Sequence, residues 1–547
     1  MSGSNQCRRV PAAVLFAAVG GLLTSIAAPA SRADSLQADG VRLVGSSRDA
    51  KEVFFLSPDR LVPADRDQTG DLYESANHRL SLVATGNGEA SGAEDASFRY
   101  VTPDGSRVFF QTAKPLLPVD RDSAIDVYER SPEGLALIST GPANSNGPEP
   151  ARFQTASPDG SHVVFATAAA RTPDDSDGAV DLYERSGTTT SLVTEGTAQG
   201  VVALNRGERG TFGIPSQRAV ISSDGSRVIF ATAESLSPAD VDDQVDIYEA
   251  AGGPIQLLST GPADDGTCPA VDCDAELESS SPDASRIVFD TREALVAGDA
   301  DGANDLYERS GDTTTLLSVG AGGQDVSFPQ FLAASTDASG VLFASSDKLT
   351  ADDRDNYVDI FERVAGETRL VSGGRLDTSF SGATAPGVEF AGASNDLSRV
   401  FFTTYEGLVP SDRWGDLDLY QHFDGHSTLV SGSARAPKDE NSTVRYEGCS
   451  ADGRTVLFLT QNSLVAADRG NTRDIYARTG RRLVLLTRGF EGHQGGGPRV
   501  LALSEDARRV VFASLARLAK GDHDRKRDLY EWAGGRISLL SGNPSAR

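Results

Sequence analysis

Short apolar runs recur along the chain, and each is closed by a polar turn. Residues 151–196 show the pattern. Arg152 to Ala156 predicts a strand. Ser157-Pro158-Asp159-Gly160 predicts a turn, because Pro presets φ, Asp bonds its own backbone and Gly accepts positive φ. His162 to Ala166 predicts a second strand, followed by a polar loop from Arg171 to Gly178. Asp181 to Arg185 is a third strand, and Ser186-Gly187 turns into a fourth, Thr190 to Thr194. Other runs, such as Val53 to Leu56 and Leu483 to Leu486, are apolar without alternation, as strands covered on both faces are. No helical period is sustained beyond the first thirty or so residues.

The unit repeats. Asp-aliphatic-Tyr/Phe begins at Asp71, Asp126, Asp181, Asp246, Asp305, Asp359, Asp418, Asp474 and Asp528. Eight of the 12 tyrosines hold its third position, and Phe361 holds it in the remaining copy. Before each copy stands an Asp with Phe six residues later, as in Asp159/Phe165 and Asp224/Phe230. Four antiparallel strands in every repeat of this length define the blade of a β-propeller. The expected fold is all-β, a single ring of about nine four-stranded blades over residues 31–547. The units run about 39–86, 97–141, 151–196, 217–261, 276–320, 328–373, 388–432, 443–489 and 499–542. A split into two smaller rings and a parallel β-helix are the rival architectures. Val41 to Gly45 and Ile537 to Leu540 each belong to their own unit, so closure is expected by face packing without a shared strand.

Ser157-Pro158-Asp159-Gly160, then Val-Val-Phe-Ala, then Asp-Leu-Tyr-Glu resembles the WD40-like propeller repeat of the TolB type. Thr102-Pro103-Asp104-Gly105 and Ser222-Ser223-Asp224-Gly225 are similar, whereas Asp49-Ala50, Asp396-Leu397 and Asp506-Ala507 depart from the turn. The resemblance implies a propeller and leaves function open. Such propellers serve as adaptors, as parts of enzymes and as secreted proteins.

Residues 1–30 read as a signal peptide: Arg8 and Arg9, an uncharged stretch from Val10 to Ala28, and a small-x-small site at Ala28-Pro29-Ala30, with Ala33 as a second cleavage point. A membrane anchor is the alternative. The expected location is secreted or extracytoplasmic, with no membrane span once the leader is removed. The net charge of −27 argues against nucleic acid as the partner. Cys268 and Cys273 share a loop and either pair or stay free, and Cys449 reads as a small buried apolar residue.

The loop before the third strand carries Asp-x-Asp-x-x-x-Asp in seven units, while Trp414 and Gly470 displace the middle acid in two. Short-spaced aspartates beside a Gly turn suit a hard cation such as Ca²⁺. The best matches are Asp175, Asp177 and Asp181, then Asp299, Asp301 and Asp305. The alternative is that they cap turns and pair with nearby Arg, as in Asp65-Arg66-Asp67. No Gly-x-Ser-x-Gly or His-Glu-x-x-His occurs. The expectation is a monomeric, non-enzymatic scaffold binding protein or carbohydrate on the loop face. The alternative is an extracellular polysaccharide lyase or hydrolase using acids in the central pocket. Extra residues at 200–217 and 264–276 open on the same face as the aspartate loops.

Overall fold

The computed structural model describes residues 41–66, 70–86, 96–142, 146–176, 178–194, 219–242, 244–264, 273–354, 356–374, 387–412, 416–432, 444–469, 472–487, 497–523 and 526–542. Residues 1–40 (the expected signal peptide included), Asp177, Cys268 and the insertion at 200–217 lie outside them.

Nine four-stranded sheets follow one another along the chain, each in simple first-to-fourth order. No α-helix occurs among the described residues. In blade three the strands are Arg152–Ala156, His162–Thr167, Asp181–Ser186 and Thr189–Leu192. The last hairpin turns at Gly187-Thr188, one residue later than the sequence predicts, and its fourth strand starts one residue earlier, with Ser186 facing Thr189.

Each blade stacks one aromatic pair across its second and third strands. Phe165 faces Tyr183 in the ladder with ring centroids 5.6 Å apart, and Phe230 faces Tyr248 at 6.0 Å. Phe343 and Phe361 keep the stack in blade six, where Tyr is missing. These rings are fully buried, so the recurring Phe and Tyr are the repeat's core and not its chemistry.

The core is divided into nine apolar clusters, each shared by two neighbouring blades. Nine interfaces among nine blades make one closed ring. The last cluster joins Val41, Leu43 and Phe55 of blade one to Val511, Leu529 and Leu540 of blade nine. Arg42–Ser46 pairs with Glu52–Ser57 in its own sheet, and Arg536–Leu539 stays in the ninth. The ring therefore closes by packing, as expected, reinforced by Arg48–Glu505 at 2.9 Å and Lys526–Asp59 at 2.7 Å.

The first turns of successive blades are also bonded head to tail. Arg48 N–H reaches Pro103 O, Ser223 reaches Pro282, Thr336 reaches Asn395, Asn395 reaches Ala451, Ala451 reaches Glu505, and Glu505 reaches Arg48. The three remaining junctions begin at Pro103, Pro158 and Pro282, which have no N–H to give. The turns without glycine keep the same backbone: Ala50, Leu397 and Ala507 take φ of 53°, 57° and 53°. Cys273 is disulfide-bonded, and Cys449 is a free, half-buried thiol.

Candidate cation sites on the aspartate loops

The long loop between second and third strands is fixed by the same side chains in nearly every blade. In eight blades the motif tyrosine donates its hydroxyl to the first aspartate of the loop: Tyr73 to Asp65, Tyr128 to Asp120, Tyr183 to Asp175, Tyr248 to Asp240, Tyr307 to Asp299, Tyr420 to Asp412, Tyr476 to Asp468 and Tyr530 to Asp522. Burial and the neighbouring aspartate push these phenols well above their ordinary range, so they remain donors. In blade three the same hydroxyl accepts the Arg171 N–H at 3.3 Å, which ties the start of the loop to its middle.

The third aspartate accepts a hydroxyl from the fourth strand's exit, as Asp181 does from Thr194 at 2.7 Å and Asp305 from Ser318 at 2.5 Å. The middle aspartate caps the turn: Asp301 accepts the Ala303 N–H at 2.7 Å, and Asp122 that of Ala124 at 2.8 Å. In blades two, four and five each of the three carboxylates thus spends at least one oxygen on the scaffold. In several blades the others converge.

In blade five, oxygens of Asp299, Asp301 and Asp305 meet one from Asp325, all within 4.8 Å of one another. Asp325 comes from the connection to blade six and is held by the N–H groups of Ala300 and Val326, each at 3.0 Å. Asp299 Oδ1 and Asp305 Oδ2 are buried with no hydrogen-bond partner. Burial and the charges of Asp325, Asp299 and Asp301 push the Asp305 carboxyl up to about 8. An all-oxygen donor set with orphaned buried carboxylate oxygens fits a hard divalent cation.

Blade three is only partly described. Asp175 and Asp181 are placed on their tyrosine and threonine partners, with Asp175 Oδ1 buried and unpartnered, while Asp177 lies outside the described residues.

Blade two shows what happens when protein supplies the counter-charge. Asp120, Asp122 and Asp126 converge in the same way, but Asn146 Nδ2 donates to all three, at 3.2, 3.0 and 3.3 Å. The buried Arg171 of blade three adds a positive charge felt by Asp126 and Asp122.

Blade seven corrects the motif. Trp414 takes the middle position, yet Asp416, two residues on, converges with Asp412 and Asp418. Asp325, Asn146 and Asp416 were not in the sequence pattern. The first two come from other loops, and only Asp416 left a trace, an extra acid inside the loop.

A further acid group sits on the inner wall, where the first strands of successive blades meet. Glu276, Glu278 and Asp290 bring oxygens within 4.8 Å. Burial, then Asp290 and Glu276, push Glu278 well above the carboxylate range, and burial takes Asp290 up to about 6.

The architecture is that of known β-propellers. The chain is similar to a prolyl endopeptidase structure at 14% identity, over 79% of this chain and 56% of that one, with a TM-score of 0.34. It is similar to the β-propeller domain of the Trilobed protease from Pyrococcus furiosus at 10% identity, over 72% and 98%, with a TM-score of 0.30. It is similar to TolB from Acinetobacter baumannii at 13% identity, over 60% and 64%, with a TM-score of 0.25. The chain thus spans little more than half of that peptidase and under two thirds of TolB. These likenesses concern the fold. No protein-family model matches the chain, and no curated protein matches it.

Proposed function

We propose that this chain is an exported, non-enzymatic binding scaffold whose aspartate-loop face is held by calcium and presented to a protein or carbohydrate partner. The observation that carries the reading is the buried, unpartnered Asp305 Oδ2 beside Asp299, Asp301 and Asp325. Carboxylates packed this way repel one another, and a divalent cation reverses that sign locally. The arginine pair and apolar stretch of the leader support export, and extracellular calcium suits sites with Kd on the order of 10⁻⁴–10⁻³ M. The test is thermal melting in chelator against millimolar CaCl₂ at fixed ionic strength. Calcium should raise the melting temperature, and Asp301→Asn with Asp305→Asn should remove part of that rise. Coincident wild-type melts would end the calcium reading. Capture from the native culture medium on immobilised protein, with and without chelator, tests the partner.

The polysaccharide lyase or hydrolase reading has one specific support, the raised acids Glu278 and Asp290 on the inner wall. Release of reducing or unsaturated sugar ends that vanishes in Glu278→Gln would favour it over the scaffold.

A further inference from the structure

We infer that a second divalent-cation site, separate from the Asp305 group, joins blade four to blade five through Asp240, Asp242, Asp246 and Glu293. Oxygens of the three aspartates, all on the blade-four loop, lie within 4.8 Å of one another. Three scaffold bonds orient them. Tyr248 donates to Asp240, the Gln244 N–H to Asp242 at 2.8 Å, and Ser259 to Asp246 at 2.6 Å.

Glu293 is the independent observation. It belongs to the next blade, where it follows the second strand, Arg286–Thr291. Its residue is only 7% exposed. It faces Asp246, Asp242 and Asp264 across the junction, and its carboxyl lies within hydrogen-bonding contact of the Asp242 carboxyl, an acid against an acid with no cation between them among the described residues. Burial, then those acids, push Glu293 up to about 8 and Asp246 up to about 7.

Other junctions show what belongs there. At the seam the equivalent reach is made by Asp59 of blade one, which meets the Lys526 ammonium in the loop of blade nine at 2.7 Å. At the junction of blades two and three, Arg171 crosses in the same direction towards Asp126. Between blades four and five the crossing side chain is itself an acid and meets three more. A hard cation held by oxygens, with Glu293 binding directly or through one water, completes the set. Such an ion bridges two blades, whereas the Asp305 group draws on blade five and the connection leaving it.

The test uses the full chain with Asp301→Asn and Asp305→Asn, so that failure of the blade-five reading does not mask this one. Terbium stands in for calcium, and Tyr248, bonded to Asp240, sensitises its emission. Calcium-displaceable emission should persist in this background, and adding Glu293→Gln should remove one terbium equivalent or weaken its affinity at least tenfold. Asp242→Asn, on a less buried side chain, should do the same, which covers a failure of the first variant to fold. Glu293→Asp should retain part of the affinity. Terbium titrations that superimpose with and without Glu293→Gln or Asp242→Asn, or no displaceable emission in the background, would overturn the proposal.

Discussion

Arg171 of blade three carries its guanidinium across the blade junction towards Asp126 of blade two, from a position that is 98% buried by its 2% exposure. Every other blade has leucine there: Leu61, Leu116, Leu236, Leu295, Leu349, Leu408, Leu464 and Leu518. One substitution in the repeat has exchanged apolar packing for a fixed positive charge beside an acid triad.

Arg171→Leu therefore restores the repeat's own residue and should still destabilise. Removing the counter-charge from buried acids costs more than the leucine regains, for a net loss of about 1–2 kcal/mol in chelator. The same variant should gain a calcium-dependent rise in melting temperature larger than wild type, because Asp120, Asp122 and Asp126 then lack their internal cation. Urea unfolding with and without calcium checks both.

Phe230 is fully buried against Tyr248, so Phe230→Ala should cost about 3–5 kcal/mol through lost burial and a cavity. Phe423 is the control. It is 42% exposed beneath Arg399, and Phe423→Ala should lose no more than about 1 kcal/mol. Equal losses in denaturant unfolding would contradict this placement of the core.

Gly225 takes φ of 74°, and a Cβ there would stand 2.2 Å from Nδ1 of His162 in the neighbouring blade. Gly225→Ala should cost about 2–4 kcal/mol, combining left-handed strain with overpacking. Gly187 has φ of 56° and open space around it, so Gly187→Ala should cost only the backbone part, about 1–2 kcal/mol. The difference between their melting temperatures isolates the contact with His162.

The first-turn aspartates set an acid limit. Hydrogen bonds from the Ser281 hydroxyl and from the N–H and hydroxyl of Ser285 hold Asp283 down to about 2, against an ordinary value of 3.8. A lowered folded-state value gives stability that is fully present above the ordinary value and lost as pH falls through the lowered one. Asp283→Asn should therefore be less stable than wild type at pH 5, and the gap should close between pH 4 and 2. Paired melts across that range test the sign, and a gap that widens on acidification would refute it.

The ring was legible because its marks are structural and local. Phe165 and Tyr183 are ladder partners, and Asp159 and Gly160 make one turn, so each unit prints the same letters at the same spacing. Missing letters misled little: Ala50 and Leu397 adopt the turn that glycine signals elsewhere. Blade four was less legible, with strands of only three and two residues at Ala219–Ile221 and Gln256–Leu257. The cation sites were half legible. Spacing pointed to Asp299, Asp301 and Asp305, but it treated seven loops alike. What separates them is supplied from elsewhere: Asn146 and Asp325 by exit connections, Arg171 and Glu293 by the next blade. A one-dimensional pattern cannot register a side chain that arrives across an interface.

Closure without a shared strand makes gene order arbitrary with respect to the ring. Val41 and Leu540 lie in one apolar cluster, and the seam carries the same turn-to-turn bond, Glu505 to Arg48, as five other junctions. The point where the chain is covalently cut is then no weaker than its neighbours. The three junctions that begin at Pro103, Pro158 and Pro282 lack that bond and are the less fastened ones. A circularly permuted chain, begun at any blade and joined across the old ends by a short flexible linker, should fold to the same ring, and whole units can be added or lost without leaving a half-built sheet.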